Sequence, residues 1–413
     1  MTTAQVDISS FVASGARPTS LRLLSIDVFR GLMVAGMVLV TNPGTYDFIY
    51  WPLKHADWNG STPTDMIFPS FLFIVGVSMT FSFVTRRARG ETAPAAALHI
   101  LRRSATLILL GLFLNCFDLL SLPHLRIPGV LQRIGLCYLC GGLLYLSICG
   151  KGTTRRVATL VAAIILLPTV YWMLQTLVPV PGYGAGRLDQ AGTLSAYIDR
   201  AVFTTNHLWA WGGPGQVWDP EGLLSTLPAI ANLLLGILAG EWLRNLAPNA
   251  AKRRVLGMAI TGVVLMLAAV ALNPLIPINK KIWTPSFMLL SGGFSLLAFA
   301  LLHVLIDRNT DRNIGREDQA GRARWRRIAT PALVFGSNAI LAFSLANILS
   351  PLLGLIHIHQ AGGAAIGIPG LLFEWFHRFL NPWNASLAYA LLFVLVNLAI
   401  LWPLYQRRIF LRL

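Results

Sequence analysis

Charged side chains are scarce in this sequence of 413 residues, since Asp, Glu, Lys and Arg together make up only 12% of it. A soluble domain usually carries about 25%. So few charges cannot cover a surface that faces water, which excludes an ordinary soluble protein. Hydrophobic residues instead make up 55% of the chain, and the mean hydropathy is +0.63. The lipid bilayer is therefore the predicted solvent for most of the chain.

Cysteine is also rare, and its four positions argue against metal or disulfide chemistry. Cys116, Cys137, Cys140 and Cys149 all fall within or at the end of apolar runs. A single C-x-x-C inside an apolar helix, without a second pair, is a poor zinc site. These residues are interpreted as small packed hydrophobes. The sequence predicts no metal site and no disulfide framework.

Local signatures of nucleotide or hydrolytic chemistry are missing as well. The chain has no phosphate-binding loop of the P-loop or Rossmann type, no H-E-x-x-H and no G-x-S-x-G. Nucleotide hydrolysis and metal-assisted hydrolysis therefore have no support from motifs.

Acidic residues number 17 against 33 basic ones, which gives a net charge of +16. Such a charge could indicate a nucleic-acid partner. The basic residues, however, sit in short clusters between apolar runs, a pattern typical of cytoplasmic loops. No nucleic-acid partner is predicted. Because no apolar run precedes residue 26, we expect no cleavable signal peptide, and the first span should act as an uncleaved signal anchor.

Apolar runs of about 20 residues recur along the whole chain, and each is long enough to cross a bilayer. The fold class they predict is an all-α, polytopic membrane bundle of about ten transmembrane helices. The predicted helices are 26–48, 65–85, 100–120, 128–149, 157–178, 223–243, 255–276, 285–306, 331–353 and 385–406.

The distribution of Lys and Arg between these helices predicts the orientation. With an inside N-terminus, 24 of the 33 basic residues fall in cytoplasmic segments and 8 on the opposite side, a strong positive-inside bias. Both termini are therefore predicted to be cytoplasmic. Residues 1–22 are predicted to form a cytoplasmic tail, and 23–413 a single transmembrane domain with a long outer loop at 179–222 and a basic cytoplasmic loop at 307–330.

Two polar features interrupt the first predicted helix. Asp27 and Arg30 are three residues apart, so they share a helix face and can pair, either as an internal ion pair or near the cytoplasmic mouth. Further along, Asn42-Pro43-Gly44 either breaks the helix beside a cavity or simply ends it. In the sixth helix, Gly236-x-x-x-Gly240 favours close helix packing.

A reactive-looking cluster precedes the second predicted helix, in "WPLKHADWNGSTPTDMIFPSFLFIVG" (51–76). His55 lies ten residues before the apolar run, with Asp57 two positions on and Asp65 at the start of the run. Thr62 or Thr64 can cap that helix, and Asp65 in its first turn suits the helix dipole. A histidine can accept a proton from a nucleophile at neutral pH. His55 is therefore a candidate base.

Further polar groups gather near the outer ends of predicted helices 4, 6 and 8. Each alone resembles an interfacial anchor, but together with the His55 cluster they indicate a site. They are Arg126, Gln132 and Arg133 in "RIPGVLQRIG", Asp219 and Glu221 in "WDPEG", and Asn279, Lys280, Lys281 and Trp283 in "PINKKIWTPSF".

These motifs, in this order, resemble the heparan-α-glucosaminide N-acetyltransferase family, which comprises the lysosomal transmembrane acetyltransferase and its bacterial relatives. The resemblance runs from about residue 21 and rests on "SIDVFRG", "KHADWNG", "TDMIFPSFLFIVG", "RIPGVLQRIG", "AYIDR", "WDPEG", "PINKKIW" and "RRIF". The lysosomal protein has a further luminal domain and an extra first helix, which we expect this chain to lack.

The resemblance implies an enzyme that takes an acetyl group from cytoplasmic acetyl-CoA and delivers it to the amine of a glucosamine-type sugar on the far side. It also implies an integral protein of a bacterial inner membrane and a homodimer. The family's active-site histidine falls on His55 and its helix-1 asparagine on Asn42, which would stabilise the oxyanion. Asp65 or Asp57 would orient His55.

Less secure roles follow from the same motifs. The donor site is expected to use Arg126, Gln132, Arg133, Asn279, Lys280 and Trp283, and the acceptor site Asp57, Asp219 and Glu221. Direct transfer is favoured, with a two-step route through acetyl-His55 as the rival. Two other functions stay open: an acyltransferase for another envelope glycan, with an amine or hydroxyl acceptor, and a solute transporter that uses the same cavity.

Overall fold

The computed structural model describes residues 23–119, 122–245, 251–307, 324–359 and 365–411. The predicted N-terminal tail (1–22) and most of the predicted basic loop (307–330) lie outside the described residues. The predictions made for those two segments therefore stay predictions.

Thirteen helices and one small hairpin are described in these ranges. The helices are α1 Leu24–Thr41, α2 Ile67–Ala88, α3 Ala93–Leu119, α4 Val130–Ile148, α5 Thr153–Leu177, α6 Leu194–Phe203, α7 Thr226–Asn245, α8 Ala251–Leu272, α9 Pro285–Asp307, α10 Thr330–Ser337, α11 Ala339–Leu355, α12 Ile368–His377 and α13 Pro382–Gln406. Short 3-10 turns occupy Trp51–Leu53, Pro63–Met66, Leu122–His124 and Thr205–His207. Strands β1 His357–His359 and β2 Ala365–Gly367 pair antiparallel, with Ile358 opposite Ile366.

Nine segments of the described chain are long and apolar enough to cross a membrane, and the bent pair α10–α11 makes a tenth. The nine are α1, α2 with its preceding turn, α3, α4, α5, α7, α8, α9 and α13. This confirms the predicted all-α, polytopic membrane bundle of about ten spans.

The first helix ends earlier than predicted, at Thr41 rather than 48. Proline disfavours helical backbone in the residue before it, and Asn42 has already left the helix at φ −129° and ψ 60°. No helix is assigned again before Trp51. Asn42-Pro43 is therefore a plain helix stop, not a break in a helix that continues.

The ninth predicted span, 331–353, is wrong as one straight helix, because α10 and α11 meet at an angle of 85°. The break falls on Asn338, which is 1% exposed. Its side-chain amide donates to the carbonyl of Ile409 at 3.0 Å and accepts from the amide of Leu411 at 2.9 Å. The break is thereby fastened to the segment that follows α13.

Glycines let the central helix α2 approach α7 closely. A methyl group on Gly236 would lie 1.9 Å from the carbonyl oxygen of Phe73, and one on Gly76 would lie 2.1 Å from that of Leu233. A methyl group on Gly240 would meet Thr80 Oγ1 at 2.4 Å. The packing role predicted for Gly236-x-x-x-Gly240 is confirmed.

The bundle has two polar ends, named here for their residues. The His55 face comprises residues 42–66, 122–129, 178–225 and 273–284, which contact one another: the Trp58 indole donates to the carbonyl of Leu188 at 2.8 Å. The basic face comprises residues 86–103, 149–156 and 405–411. The 22 residues of α2 separate the two faces by about 33 Å.

The two long segments predicted for the outer side contain local structure. The predicted outer loop 179–222 includes helix α6, and 354–384 includes the β1–β2 hairpin and helix α12. Trp218, from the first of these segments, packs edge-on against Trp58 and Trp209, with ring centroids 5.1 and 5.3 Å away. The loop is thereby packed onto the His55 cluster.

Candidate active site

His55 lies in the loop that joins α1 to α2, just after the turn Trp51–Leu53. Its Nδ1 is 2.7 Å from Asp65 Oδ1 and 3.1 Å from the Nζ of Lys280. The side chain keeps 38% of its surface exposed. The ring is therefore held through Nδ1, and part of the side chain stays exposed to solvent.

Asp65 holds the loop in place through its other carboxylate oxygen. Oδ2 accepts from the backbone amides of Ala56 at 3.2 Å and Thr62 at 2.9 Å, and from Thr62 Oγ1 at 3.2 Å. This is a capping box at the start of the second span, as the sequence predicted for Thr62. The carboxylate is fully buried, and it both caps the helix and orients His55.

Lys280, which the sequence predicted for the donor site, is instead a neighbour of His55 in the structure. Its Nζ lies 3.5 Å from Asp65 Oδ1, so the ammonium, the imidazole and the carboxylate form one cluster. Burial and the Lys280 charge hold the pKa of His55 below its ordinary value, although the bond to Asp65 acts in the opposite direction. Burial likewise lowers the pKa of Lys280 itself.

The loop that carries Lys280 is joined to the loop that carries His55 by backbone pairing. The amide of Gly60 donates to the carbonyl of Ile278 at 2.7 Å, and the Asn279 side chain donates to Asn59 Oδ1 at 3.1 Å. Asn279 also accepts from the amide of Ile282 at 3.1 Å, so it shapes its own turn. The side-chain amide of Asn279 thus helps to fix the position of the neighbouring Lys280.

Arg126, Asp219 and Glu221 form a second, buried cluster on the same face. Arg126 donates to both oxygens of Asp219, at 2.8 and 2.7 Å, and its Nη2 also donates to Glu221 Oε2. Burial acts to lower the pKa of Arg126, but the two carboxylates outweigh it and raise that pKa. The sequence assigned these residues to separate ligands, and the structure pairs them with one another.

Arg133 is 1% exposed at the start of α4. Its Nη2 donates to the carbonyl of Gly222 and to Ser225 Oγ, and its guanidinium carbon lies 5.1 Å from the Trp283 ring centre. Nε and Nη1 are buried without a hydrogen-bond partner among the described residues, as is Nε2 of the neighbouring Gln132. Trp283 donates to Asn232 Oδ1 at 2.9 Å.

Asn42 and Asp57 contact other groups than the imidazole. The amide nitrogen of Asn42 donates to the carbonyl of Val38 at 2.8 Å and to Thr41 Oγ1 at 3.0 Å. Asp57 pairs with Lys54 at 3.0 Å, and 88% of its side chain is exposed. Of the two carboxylates considered for orienting His55, Asp65 is the one in contact with it.

Two adjoining cavities lie on the other side of the bundle, near the basic face. Cavity 1, of about 350 Å³, is lined among others by Arg30, Val34, Phe71, Arg86, His99, Arg103, Phe410 and Leu411. Cavity 2, of about 360 Å³, is lined among others by Arg86, Arg87, Glu91, His99, Tyr145, Arg156, Glu241 and Arg244. Most of these charges had been counted only as evidence of orientation.

Arg30 connects the first helix to cavity 1. It lies 3.4 Å from Asp27, as the spacing predicted, and it also donates to Ser78 Oγ at 2.7 Å and to the carbonyl of Gly336 at 3.4 Å. No group of three His, Cys, Asp or Glu side chains suited to a metal occurs among the residues described.

Comparison with known proteins places this arrangement in a family. A family model for the catalytic region of heparan-alpha-glucosaminide N-acetyltransferase matches residues 22–276. The heparan-alpha-glucosaminide N-acetyltransferase of Mus musculus is 29% identical over 332 residues, which is 70% of this chain and 50% of that protein. The human protein of the same name is 30% identical over 329 residues, 69% of this chain and 49% of its own length. The chain thus spans about half the length of these curated relatives. Since the family model covers more than half of its residues, the chain belongs to the heparan-alpha-glucosaminide N-acetyltransferase catalytic family.

Proposed function

We propose that the chain is a transmembrane acetyltransferase that moves an acetyl group from acetyl-CoA on the basic face to the amine of a glucosamine-type sugar on the His55 face. The observation that carries the proposal is the imidazole held between Asp65 and Lys280 at the end of a membrane bundle of this family. The basic face is the cytoplasmic one in this proposal, in agreement with the positive-inside bias.

Nδ1 of His55 lies near two groups, Asp65 Oδ1 at 2.7 Å and the Lys280 ammonium at 3.1 Å. A carboxylate only accepts hydrogen bonds and an ammonium only donates them, so the two groups favour opposite tautomers. We propose that the nearer carboxylate decides, which places the proton of the neutral ring on Nδ1. Nε2 then carries the lone pair. Since more than a third of the His55 side chain is exposed, that nitrogen is the base available to an acceptor.

The transfer then balances without a further reactant. The acceptor amine attacks the thioester carbonyl, a nitrogen–carbon bond forms, and Nε2 of His55 takes the proton that the amine loses. When the carbon–sulfur bond breaks, the imidazolium returns that proton to the sulfur, so the products are the N-acetyl sugar and coenzyme A. Asp65 stabilises the transient imidazolium. Direct transfer of this kind needs no acetyl-His55 intermediate.

Lys280 keeps the base in its uncharged form. Burial together with the Lys280 ammonium holds the pKa of His55 low, so the ring is neutral at physiological pH and able to accept a proton. The ammonium also disfavours a protonated acceptor amine beside it, and a protonated amine cannot attack. Lys280 is therefore proposed as an electrostatic partner of the base.

We propose cavity 1 as the place where the donor enters the bundle. Acetyl-CoA cannot diffuse through the bilayer because its phosphates are charged, but its pantetheine arm is thin and mostly uncharged. Arginines line the cavity near the basic face, and apolar side chains such as Val34 and Phe71 line it farther in. Arg86 and Phe71 are about 22 Å apart along α2, and about 9 Å more of that segment leads to Asp65.

The buried cluster of Arg126, Asp219 and Glu221 supports the acceptor side in this proposal. Its charges are satisfied by one another, with Arg126–Asp219 in bidentate geometry. Such a cluster fixes the end of the 179–222 segment against the start of α4. We propose that it positions the loops around the acceptor, and that the sugar contacts the exposed side of the His55 cluster.

The proposal is tested by vectorial transfer in proteoliposomes. Acetyl-CoA labelled in the acetyl group is enclosed on the side of the basic face, and glucosamine is supplied on the other side. His55→Ala should abolish formation of labelled N-acetylglucosamine while the protein stays folded. His357→Ala is the matched control, since His357 is exposed and bonds only the nearby carbonyl of Leu355 among the described residues.

Two results would contradict the proposal. Turnover of His55→Ala within a few fold of the unaltered protein would remove this residue from the chemistry. Label that reached the sugar only when both substrates shared one side would remove the transmembrane step. Label trapped covalently on the protein without acceptor would instead favour the two-step route through acetyl-His55.

A further inference from the structure

Cavity 2 is a second chamber at the basic face, next to cavity 1. The two share Ser82, Arg86, His99 and Tyr138 as lining residues. Cavity 2 lies where α2, α4 and α7 end and α3 and α5 begin, and its volume of about 360 Å³ is within the usual range of ligand sites. The chemistry proposed for His55 makes no use of it.

The walls of cavity 2 carry more positive than negative charge. Four arginines, Arg86, Arg87, Arg156 and Arg244, line it together with two glutamates, Glu91 and Glu241, which leaves an excess of two positive charges. Both glutamates are engaged already: Glu91 lies 3.2 Å from Arg86, and Glu241 lies 3.0 Å from Arg156 and 3.3 Å from Arg244. The excess favours binding of an anion from outside.

The guanidinium groups also keep donors for such an anion. Both Nη groups of Arg156 donate to protein acceptors, and its Nε is buried without a hydrogen-bond partner in the described part of the chain. Arg87 donates to the carbonyl of Cys149 through Nη1 at 3.2 Å, and Arg244 uses Nη1 for all three of its protein acceptors recorded among the described residues. Each guanidinium has five donors, and its flat fork suits a phosphate.

The N-terminal end of helix α3 adds positive electrostatic potential to cavity 2. Thr92, Ala93 and Ala96, at the beginning of this helix, line cavity 2. The first amides of a helix have no partner within it and carry the positive end of the helix dipole. They favour an anion at the same place as the arginines do.

We infer that cavity 2 is a phosphate-binding site, with Arg87, Arg156 and Arg244 as its contacts. One source of the phosphate is the nucleotide end of coenzyme A, with the pantetheine arm passing into cavity 1 over the shared wall. In that case the inference deepens the proposed function and rests on it. The other source is the headgroup of an anionic phospholipid from the adjoining leaflet.

The test measures binding to the whole purified chain, independently of acetyl transfer. Arg87→Gln and the double variant Arg87→Gln/Arg156→Gln are compared with Arg155→Gln, a neighbouring exposed arginine outside both cavities. The double variant leaves Glu241 paired with Arg244. Coenzyme A and pantetheine are titrated by calorimetry, and retained phosphatidylglycerol is counted by native mass spectrometry.

The two sources give different results. If the phosphates of coenzyme A occupy the site, each lost arginine weakens coenzyme A binding about tenfold to hundredfold, and pantetheine binding stays as it was. If a lipid occupies it, the variants lose phosphatidylglycerol and bind coenzyme A normally. Arg155→Gln changes neither. Either result supports the site, and the second does so even if no acetyl group is ever transferred.

One result overturns the inference. Arginines at the ends of helices can serve only to neutralise the last carbonyls. In that case the variants would unfold at a lower temperature, while coenzyme A binding and phosphatidylglycerol retention both stayed unchanged. A failed proposed function looks different, because the unaltered protein would then transfer no label at all, whatever cavity 2 binds.

Discussion

Asp65→Asn separates the two tasks of this carboxylate, because the substitution keeps its shape. Oδ2 of Asp65 receives the backbone amides of Ala56 and Thr62, at 3.2 and 2.9 Å. The amide oxygen of asparagine must take that place, since an NH2 group there would face two donors. The NH2 group then faces His55 Nδ1 and Lys280. The helix cap at residue 65 is therefore kept, but the group that faces His55 Nδ1 changes from a hydrogen-bond acceptor to a donor.

That exchange reverses the tautomer of the imidazole. Nδ1 of His55 must accept from the new NH2 group, so the proton moves to Nε2 and the lone pair that would receive the amine proton is lost. General base catalysis contributes about 10²- to 10⁴-fold to rate, and a wrong tautomer in the serine-protease triad costs about 10⁴-fold. We expect kcat of Asp65→Asn to fall by about 10²- to 10⁴-fold.

The assay is labelled acetyl transfer to glucosamine under saturating acetyl-CoA, with thermal unfolding measured in parallel. Asp47→Asn is the matched control, because Asp47 lies in the same loop, is exposed, and accepts a hydrogen bond from Thr45 Oγ1 at 3.2 Å. Its kcat should stay within twofold. A folded Asp65→Asn protein that kept a third or more of the original kcat would refute the assignment of Nε2 as the base.

Three further outcomes follow from the same structure. Lys280→Met removes the ammonium that lowers the pKa of His55; the pKa rises, more of the ring is protonated in acid, and the acid limb of the pH–rate profile moves to higher pH. Gly236→Ala places a methyl group 1.9 Å from backbone and should lower the free energy of unfolding by about 1–3 kcal/mol, measured by thermal unfolding. Gly354→Ala is the control and should not destabilise the protein, because a methyl group there has nothing within 4 Å. Equal stability of the two variants would contradict the packing. Arg126→Gln leaves two buried carboxylates without their cation and should cost about 3–5 kcal/mol, measured by unfolding without substrate; an unchanged unfolding temperature would show that the pair is not buried.

The membrane architecture was predictable because hydropathy acts over whole segments. In a bilayer every backbone polar group must be paired within the segment, so a long apolar run has little choice but to be a helix. The partner of His55 was predictable only as Asp57 or Asp65, because both carboxylates lie near the same helix start, and the structure places Asp65 in contact with the ring. Thr62 supplied the capping pattern that fixes the carboxylate there.

Long-range pairing was beyond sequence reasoning. Lys280 stands 225 residues after His55, and the loops that carry them are joined by the hydrogen bonds of Gly60 to Ile278 and of Asn279 to Asn59. Arg126 and Asp219 were assigned to different ligands because nothing in one sequence indicates that they form a bidentate pair. The bend at Asn338 could have been predicted, since Gly336-Ser337-Asn338 is a run of turn-forming residues. It was missed because the run lies within a long apolar segment.

The segment fastened by Asn338 has a consequence for biosynthesis. Cavity 1 takes one wall from Arg30, on the first helix, and another from Phe410 and Leu411, beyond the last. Ribosomes make and insert the first helix long before residue 410 emerges. A nascent chain therefore has no finished chamber for a ligand, and the assembling protein is inert toward its donor until α13 is in the membrane.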